Sequence, residues 1–541
     1  MLLLFGLGVF VVTAILLHFL WRPKSVHSLP FPPGPPRDPV IGHLRYMPTK
    51  NRATVFHEWA KTYGDVMYLD ILGKPTIVLN TARVAVDLLN KRSSIYSDRP
   101  RFTSYELTGW STTLSLMPYG RRFNLHRQLH QSYLNRQKCG EFKPMQTLEA
   151  RTLQDDKQAR ALNSFSTSVI AQVVAGHRIC SEDDPYMRTT QALMESLGRS
   201  GAPGTTRIDL LPFLKYLPSW FPGCESVALV RACNPILRQL YDFPLPTVQA
   251  QMETGVARPS FLLTQLNQMR DNTAPVDFED IRWAAAAMFG STKVWSSLTV
   301  FILAMLLHPE YQCKAQREID AVIGTSRLPA FEDRDHLPLV ESIMQETLRL
   351  VASPNRARFE GSRPSKFCVD QWFEPGVPHR LMKDDVYQGM FIPRGSTVFA
   401  NIRAMSLDES VYSAPESFFP ERFLPKPAGK EEPHFSSVYG FGRRFGQFFS
   451  LDGIHRVTGA RRTCTGRYLG DQSLWIAIAS ILATCRISNV NDEHGNLIVP
   501  DASIIMSEGV SSHPNDFQYI VSPRDPNVPA LLDEVDLEAE I

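Results

Sequence analysis

The chain has 541 residues, with 57 basic and 55 acidic side chains, and hydrophobic residues make up 43% of it. That content suffices for a large buried core and excludes collagen, coiled coil or disorder for the bulk of the chain. A net charge of +2 lacks the concentrated basic excess of a nucleic-acid-binding protein, so no nucleic-acid partner is expected.

Residues 2–20 contain no Lys, Arg, Asp or Glu, and His18 is their only ionisable side chain. At about 1.5 Å per residue they extend about 28 Å, close to the roughly 30 Å hydrocarbon core of a bilayer. Trp21 follows at interface depth, then Arg22 and Lys24, and no basic residue precedes the run. That flank predicts a retained single-pass anchor, residues 1–21, with the rest of the chain on the cytoplasmic side. The alternative is a cleaved signal peptide, whose apolar stretch is normally shorter and preceded by charge. Residues 22–40 form a basic, proline-rich hinge, because five prolines fall between Leu29 and Arg37 and each discourages helix before it.

Residues 41–530 show the pattern of a mainly α domain with small β-sheets, an α+β fold, and an acidic tail, 531–541, closes the chain. Periodicity predicts helices over 52–63, 148–176, 277–307, 309–323 and 339–351. Residues 227–254 are also helical in pattern, with Pro235, Pro244 and Pro246 set to kink or break them. The segment 66–79 predicts a hairpin turning at Gly73 and Lys74, and short β signals return at 386–399 and near the C-terminus. No internal repeat and no phosphate-binding glycine loop is present. The eight cysteines are scattered, with no C-x-x-C pair, which fits reduced, mostly buried thiols rather than a disulfide scaffold or a zinc site.

The informative residues begin at Glu346 and Arg349, which share a helix face and can pair. Alone, that spacing occurs on many solvated helices. Arg422, flanked by Phe419 and Phe423, supplies a second guanidinium able to lock onto Glu346 in a buried triad. Tyr439, Gly440, Phe441 and Gly442 follow, and then Cys464 with Gly466, just before a helical run over 468–483.

In that order, E-x-x-R, P-E-R-F and C-x-G, the chain resembles the cytochrome P-450 family in its membrane-anchored fungal form. The resemblance implies the cytochrome P-450 fold behind an N-terminal transmembrane helix, with haem b as cofactor and Cys464 as the axial thiolate on its iron. A thiolate suits that place because its electron donation favours O–O cleavage. A position just before a helix N-terminus also lowers a thiol pKa. By the same resemblance Arg462 and His379 contact haem propionates. Arg127 is the surviving arginine of the family's W-R-x-x-R helix, with Phe123 and Asn124 in place of the Trp and the first Arg. Glu346, Arg349 and Arg422 are the structural triad.

The activity implied for residues 41–530 is that of a haem-thiolate monooxygenase, which inserts one oxygen atom from O2 into a lipophilic small molecule in fungal secondary metabolism. Electrons would come from NADPH through a separate flavoprotein reductase. The protein would sit on the endoplasmic-reticulum membrane with its catalytic domain in the cytosol. Substrate contacts would come from 101–116, 200–220, the helix near Phe289, and 509–513.

Three departures stand out. Eighteen residues, 443–460, interrupt the cysteine signature, and 26 residues separate Arg349 from Gly376 where the family has only a few, with the excess over 356–374. Both inserts, within 350–375 and 443–460, read as translated introns, and their removal is expected to improve haem incorporation. The third departure is in the helix over 277–307, where the family carries an acid and a Thr that relay protons. Thr292 takes the acid position here and Lys293 the Thr position, leaving Thr292 with Ser291 as the candidate relay. A haem-binding protein without turnover, an isomerase or dehydratase of the same fold, and a bare helical scaffold are the alternatives.

Overall fold

The structure is a computed structural model and describes residues 29–48, 52–154, 158–181, 183–200, 204, 206–221, 224–271, 276–289, 293–351, 376–442, 462–500 and 517–525. The expected anchor, the start of the hinge, both suspected inserts, Ser291, Thr292, residues 509–513 and the acidic tail lie outside the described residues, as does the side chain of Lys293.

The described part of the proline arm is docked rather than free. Phe31 stacks on Tyr68 with ring centroids 4.7 Å apart. Tyr68 N donates to Pro33 O at 2.9 Å and Phe391 N to Pro30 O at 2.7 Å. Prolines lack the N–H that would otherwise need a partner, so the arm can lie on the sheet using carbonyls alone. Gly34 is required at the closest approach, because a Cβ there would come within 2.1 Å of Tyr68 O.

The sheet beneath it has four strands, β1 (Val66–Ile71), β2 (Lys74–Leu79), β3 (His379–Arg380) and β4 (Thr397–Ala400), in the order β1-β2-β4-β3. The β1–β2 hairpin pairs Ile71 with Lys74, so its turn residues are Leu72 and Gly73, one position earlier than predicted. Both have positive φ, 50° and 78°, the pattern of a two-residue turn that matches strand twist. β2 runs parallel to β4, and β4 antiparallel to β3, with His379 opposite Val398. A hydrophobic cluster including Ile77, Leu79, Val398 and Phe441 joins this sheet to the approach to the cysteine.

The larger body is helical. Its main helices are α1 (Arg52–Tyr63), α2 (Arg121–Tyr133), α3 (Gln158–Ala175), α4 (Phe278–Phe289), α5 (Lys293–Leu307), α6 (Pro338–Val351) and α7 (Arg467–Thr484). α5 packs against α3, α6 and α7, and its residues Leu298, Phe301 and Met305 are fully buried in the main core. The stretch Phe278–Leu307 is apolar enough to cross a membrane by length and composition, but 64% of its most apolar window is buried inside the protein. Apolar side chains all round are what a central core helix needs.

Two predicted helices divide. Over 148–176 the chain forms Lys143–Arg151, a 3-10 turn Thr152–Gln154, and then α3. Gln154, Asp155, Asp156 and Lys157 offer no apolar face there, and the Thr152 hydroxyl bonds back to Glu149 O. Over 227–254 Pro235 is accommodated inside Glu225–Asp242, while Pro244 opens a new helix, Pro244–Glu253. Proline is tolerated in a first turn because its missing N–H has no intrahelical partner there. The C-terminal β signal is the antiparallel pair Cys485–Ser488 and Ile520–Pro523.

Gly34→Ala is expected to cost about 1–3 kcal/mol, the usual range for a forced steric insertion. Urea unfolding would read this, and limited proteolysis would show faster cutting near the arm. Wild-type stability and wild-type proteolysis together would show the arm to be dispensable.

Candidate active site

Cys464 is exposed, and the residues around it are held from two directions. Cys464 N donates to Tyr439 O at 2.9 Å, and the Thr463 hydroxyl donates to Gly442 O at 2.7 Å. Gly442 N in turn donates to the Asn90 side chain. Downstream, α7 starts at Arg467, three residues after the cysteine.

From the other side comes one face of α2. Positions four and three apart lie along one stripe of a helix, and Phe123, Arg127 and His130 have that spacing. The Phe123 ring faces the Arg462 guanidinium at 3.8 Å from its centroid. An Arg127 Nη1–H donates to Thr463 O. His130 reaches Thr465 Oγ1 through Nδ1 at 3.2 Å and Ala284 O through Nε2 at 3.0 Å. Burial, helped by His126 and Arg127 nearby, pushes the His130 pKa down to about 3. The ring is therefore neutral at ordinary pH. A cavity of about 70 Å³ is walled by His130, Ser166, Cys464, Thr465 and Ser473, among others.

Next to this loop three guanidiniums are buried: Arg99, Arg127 and Arg462. Arg462 donates to the carbonyls of Ser97, Leu114 and Met117 at 2.8, 3.0 and 2.6 Å. Arg99 donates to those of Ser115, Val377 and Pro378. Carbonyls satisfy the donors, but they bring no negative charge. Burial consequently lowers the pKa of Arg99 to about 9 and of Arg127 to about 10, and that of Arg462 well below its ordinary value, with Arg99 adding to the effect on Arg462. Arg127 Nε is buried with no hydrogen-bond partner among the described residues. The arrangement fits a ligand that carries its own carboxylates into the protein.

His379 lies at the edge of the same cluster. Its Nδ1 donates to Tyr96 O at 2.8 Å, which leaves Nε2 as the second ring nitrogen. Burial, with Arg99 and Arg462 close by, drives its pKa well down. In the neutral ring Nε2 is an acceptor, so His379 can donate to a carboxylate through it only after taking up a proton. An incoming anion would favour that uptake.

Glu346, Arg349 and Arg422 are brought together and are fully buried. Arg349 binds Glu346 through Nε and Nη2 at 2.8 and 2.7 Å, and Arg422 Nε donates to the same carboxylate at 3.2 Å. Two guanidiniums on one carboxylate would leave an excess positive charge. Glu432 removes it, accepting from Arg422 Nη1 at 2.8 Å and from Ser413 N at 3.0 Å. Burial disfavours the Glu432 carboxylate, but the Ser413 bonds and the Arg422 guanidinium outweigh it and hold its pKa below the ordinary value.

Sequence reasoning found neither Glu432 nor Arg99. Glu432 carries no motif, and Arg99 precedes a proline in a connecting segment, so nothing local marks either one. Asn90 was also missed. It lies in a π-helical turn, Val86–Lys91, and such turns often mark positions under functional constraint. Two segments expected to contact substrate are tied together by Asp209. Its carboxylate accepts from Ser104 N and Oγ, both at 2.8 Å, and from Gly204 N at 3.0 Å. Phe289 is fully buried and stacks on Tyr186 at 5.3 Å.

The family model described as Cytochrome P450 matches residues 32–356 and 373–447, most of the chain. It skips the centre of the first suspected insert and stops before Cys464. Among curated proteins, the chain is 31% identical to Cytochrome P450 monooxygenase 136 of Postia placenta, across 98% of this chain and 96% of that one. It is 33% identical to Cytochrome P450 monooxygenase ARMGADRAFT_974139 of Armillaria gallica, covering 95% and 96%. Against Cytochrome P450 monooxygenase COX2 of Coprinopsis cinerea the identity is 32%, covering 93% and 91%.

Removing one member of a buried charge cluster leaves its partner unpaired, so Arg422→Ala is expected to cost about 3–5 kcal/mol in urea unfolding. Glu432 has a folded pKa below its unfolded one, so its contribution is complete above the ordinary carboxylate range and lost as pH falls through the lower, folded value. Glu432→Gln should therefore destabilise the protein at neutral pH and flatten the acid limb of the stability curve. A parallel acid limb in the variant would show that Glu432 is not linked to it.

Proposed function

This chain belongs to the cytochrome P450 family, and we propose that it binds haem b with Cys464 as the iron's thiolate ligand and Arg99, Arg127, Arg462 and His379 around the propionates. As a family member it is an enzyme of the cytochrome P450 monooxygenase type. The observation that carries the haem assignment is the trio of buried guanidiniums beside Cys464 with no carboxylate bonded to them among the described residues. When bound, the haem supplies the oxygen chemistry that a thiolate ligand supports. The protein's own residues position it. Arg462 and Arg127 fix the loop just ahead of the sulfur, Phe123 stacks on Arg462 but cannot donate the hydrogen bond a Trp would, and His379 takes a proton as a propionate arrives.

The substrate is a lipophilic small molecule of fungal secondary metabolism, in keeping with the names of the relatives, which are fungal monooxygenases. Electrons come from NADPH through a separate flavoprotein reductase. The protein is held on the endoplasmic-reticulum membrane by residues 1–21, with residues 41–530 in the cytosol and 22–40 as the link. The length and apolarity of residues 2–20, Trp21 and the basic flank support that topology. The inserts within 350–375 and 443–460 are translated introns. Tyr439 and Gly442 on one side and Thr463 and Cys464 on the other already touch, so the shorter chain would close without moving the cysteine.

A second reading has an observation of its own. Lys293 stands in the sequence where the family has its relay Thr, which favours a haem protein with impaired oxygen activation or a non-oxygenating member of the fold, unless Thr292 carries the proton.

Cys464→Ala is expected to abolish the red-shifted absorption band of the reduced carbon-monoxide complex, and retention of that band would place the ligand elsewhere. Turnover under labelled dioxygen should put one labelled atom into product; product without label would favour the isomerase or dehydratase reading. Carbonate extraction should leave the protein in the microsomal pellet.

A further inference from the structure

The contact between His130 and Thr465 has a consequence for the sulfur beside it. Ala284 O can only accept a hydrogen bond, so the 3.0 Å contact to His130 Nε2 places the ring proton on Nε2. The neutral ring then has a lone pair on Nδ1. Thr465 Oγ1, 3.2 Å away, must be the donor in that bond. Its hydroxyl proton therefore points at His130.

Thr465 follows Cys464 directly, and both residues wall the same cavity of about 70 Å³. That space is large enough for a hydroxyl to turn within it. The neighbouring Cys464, which walls the same cavity, would as a thiolate outcompete neutral acceptors for a Thr465 hydroxyl released from His130, because charge-assisted bonds are about twice as strong as neutral ones. A hydrogen bond to a thiolate withdraws electron density from the metal and raises its reduction potential.

We infer that His130 is a positioning residue that holds the Thr465 hydroxyl away from Cys464, keeping the sulfur electron-rich and the iron potential low. The inference rests on the haem-thiolate reading of Cys464. It needs no new ligand and no change of protonation. His130 is fixed for the task by burial at 2% exposure and by its bond to α4 through Ala284.

The test is a double-mutant cycle read by the ferric/ferrous reduction potential of the holoprotein and by the position of the carbon-monoxide band. His130→Phe keeps a flat ring but offers neither donor nor acceptor, and it should raise the potential and displace the band. Thr465→Val removes the hydroxyl that His130 restrains, so alone it should leave the potential where the wild type has it. The double variant should return to the wild-type potential, because no hydroxyl remains to reach the sulfur. His130→Gln carries both a donor and an acceptor on one amide and should keep the wild-type value. An unchanged potential in His130→Phe, or a shift that persists in the double variant, overturns the inference. If His130→Phe yields no holoprotein, His130→Leu takes its place in the cycle with the same expected rise and the same overturning results, and a fall in the potential of Thr465→Val would overturn the inference as well, since the hydroxyl would already bond to sulfur. A wild-type protein without the thiolate-type band refutes the reading of Cys464 instead, a result separate from any of these.

Discussion

Burying arginine is the constraint around which this structure is organised. Arg99, Arg127, Arg349, Arg422 and Arg462 all lie out of water. A guanidinium cannot shed its charge as a lysine can, so each buried one must find donors' partners and a countercharge. The protein meets the need in two ways. Arg349 and Arg422 share Glu346 and Glu432, two positive charges against two negative, all supplied by the chain. Arg99 and Arg462 are caged by backbone carbonyls, which satisfy geometry and leave the charge standing. The first group is closed and structural. The second has no carboxylate hydrogen-bonded to it among the described residues, and Asp98 is the acidic side chain that acts on both Arg99 and Arg462.

The closed cluster also explains how the open one is positioned. Glu346 and Arg349 sit on α6, and their bonds to the carbonyls of Ser406, Pro415 and Ser417 and to Phe419 N stitch the chain over 406–433 onto that helix. The same stretch continues into Tyr439 and Gly442, the upstream supports of the cysteine. An error at Glu346 therefore propagates toward Cys464 through the backbone. The sheet works in parallel from the other side, since β4 sets the register of His379 and the cluster containing Phe441 anchors the glycine-rich approach.

What was legible in the sequence was whatever depends on short-range pattern or on motif order. α1 and α6, the hairpin strands and the helix after the cysteine follow from periodicity. Glu346, Arg349, Arg422 and Cys464 follow from their order along the chain. The hairpin turn is one residue off because both Leu72-Gly73 and Gly73-Lys74 offer a glycine, and only the cross-strand register distinguishes them. The helix over 148–176 was overextended because its apolar period runs on across a polar break. Glu432, Arg99, Asn90 and Asp209 were not legible, because each acts on a residue at least ten positions away and has no local signature. Their roles exist only after the chain has folded.

The departures from the family pattern concentrate upstream of the cysteine, while its restraints are distributed around it. α2 touches the loop at three places in register: Phe123 on Arg462, Arg127 on Thr463 and His130 on Thr465. The last two bracket Cys464 on both sides, and α7 begins three residues after it. Loop-closure entropy grows only as about 1.5RT ln n, so added length alone is a weak perturbation when the two ends already meet. The cysteine loop is held by the Arg127 bond to Thr463 and by the Tyr439 and Gly442 bonds, all of them made by residues outside the interrupting segment. The position of Cys464 is thus held by contacts that the described residues around it make from α2 and from the glycine-rich approach.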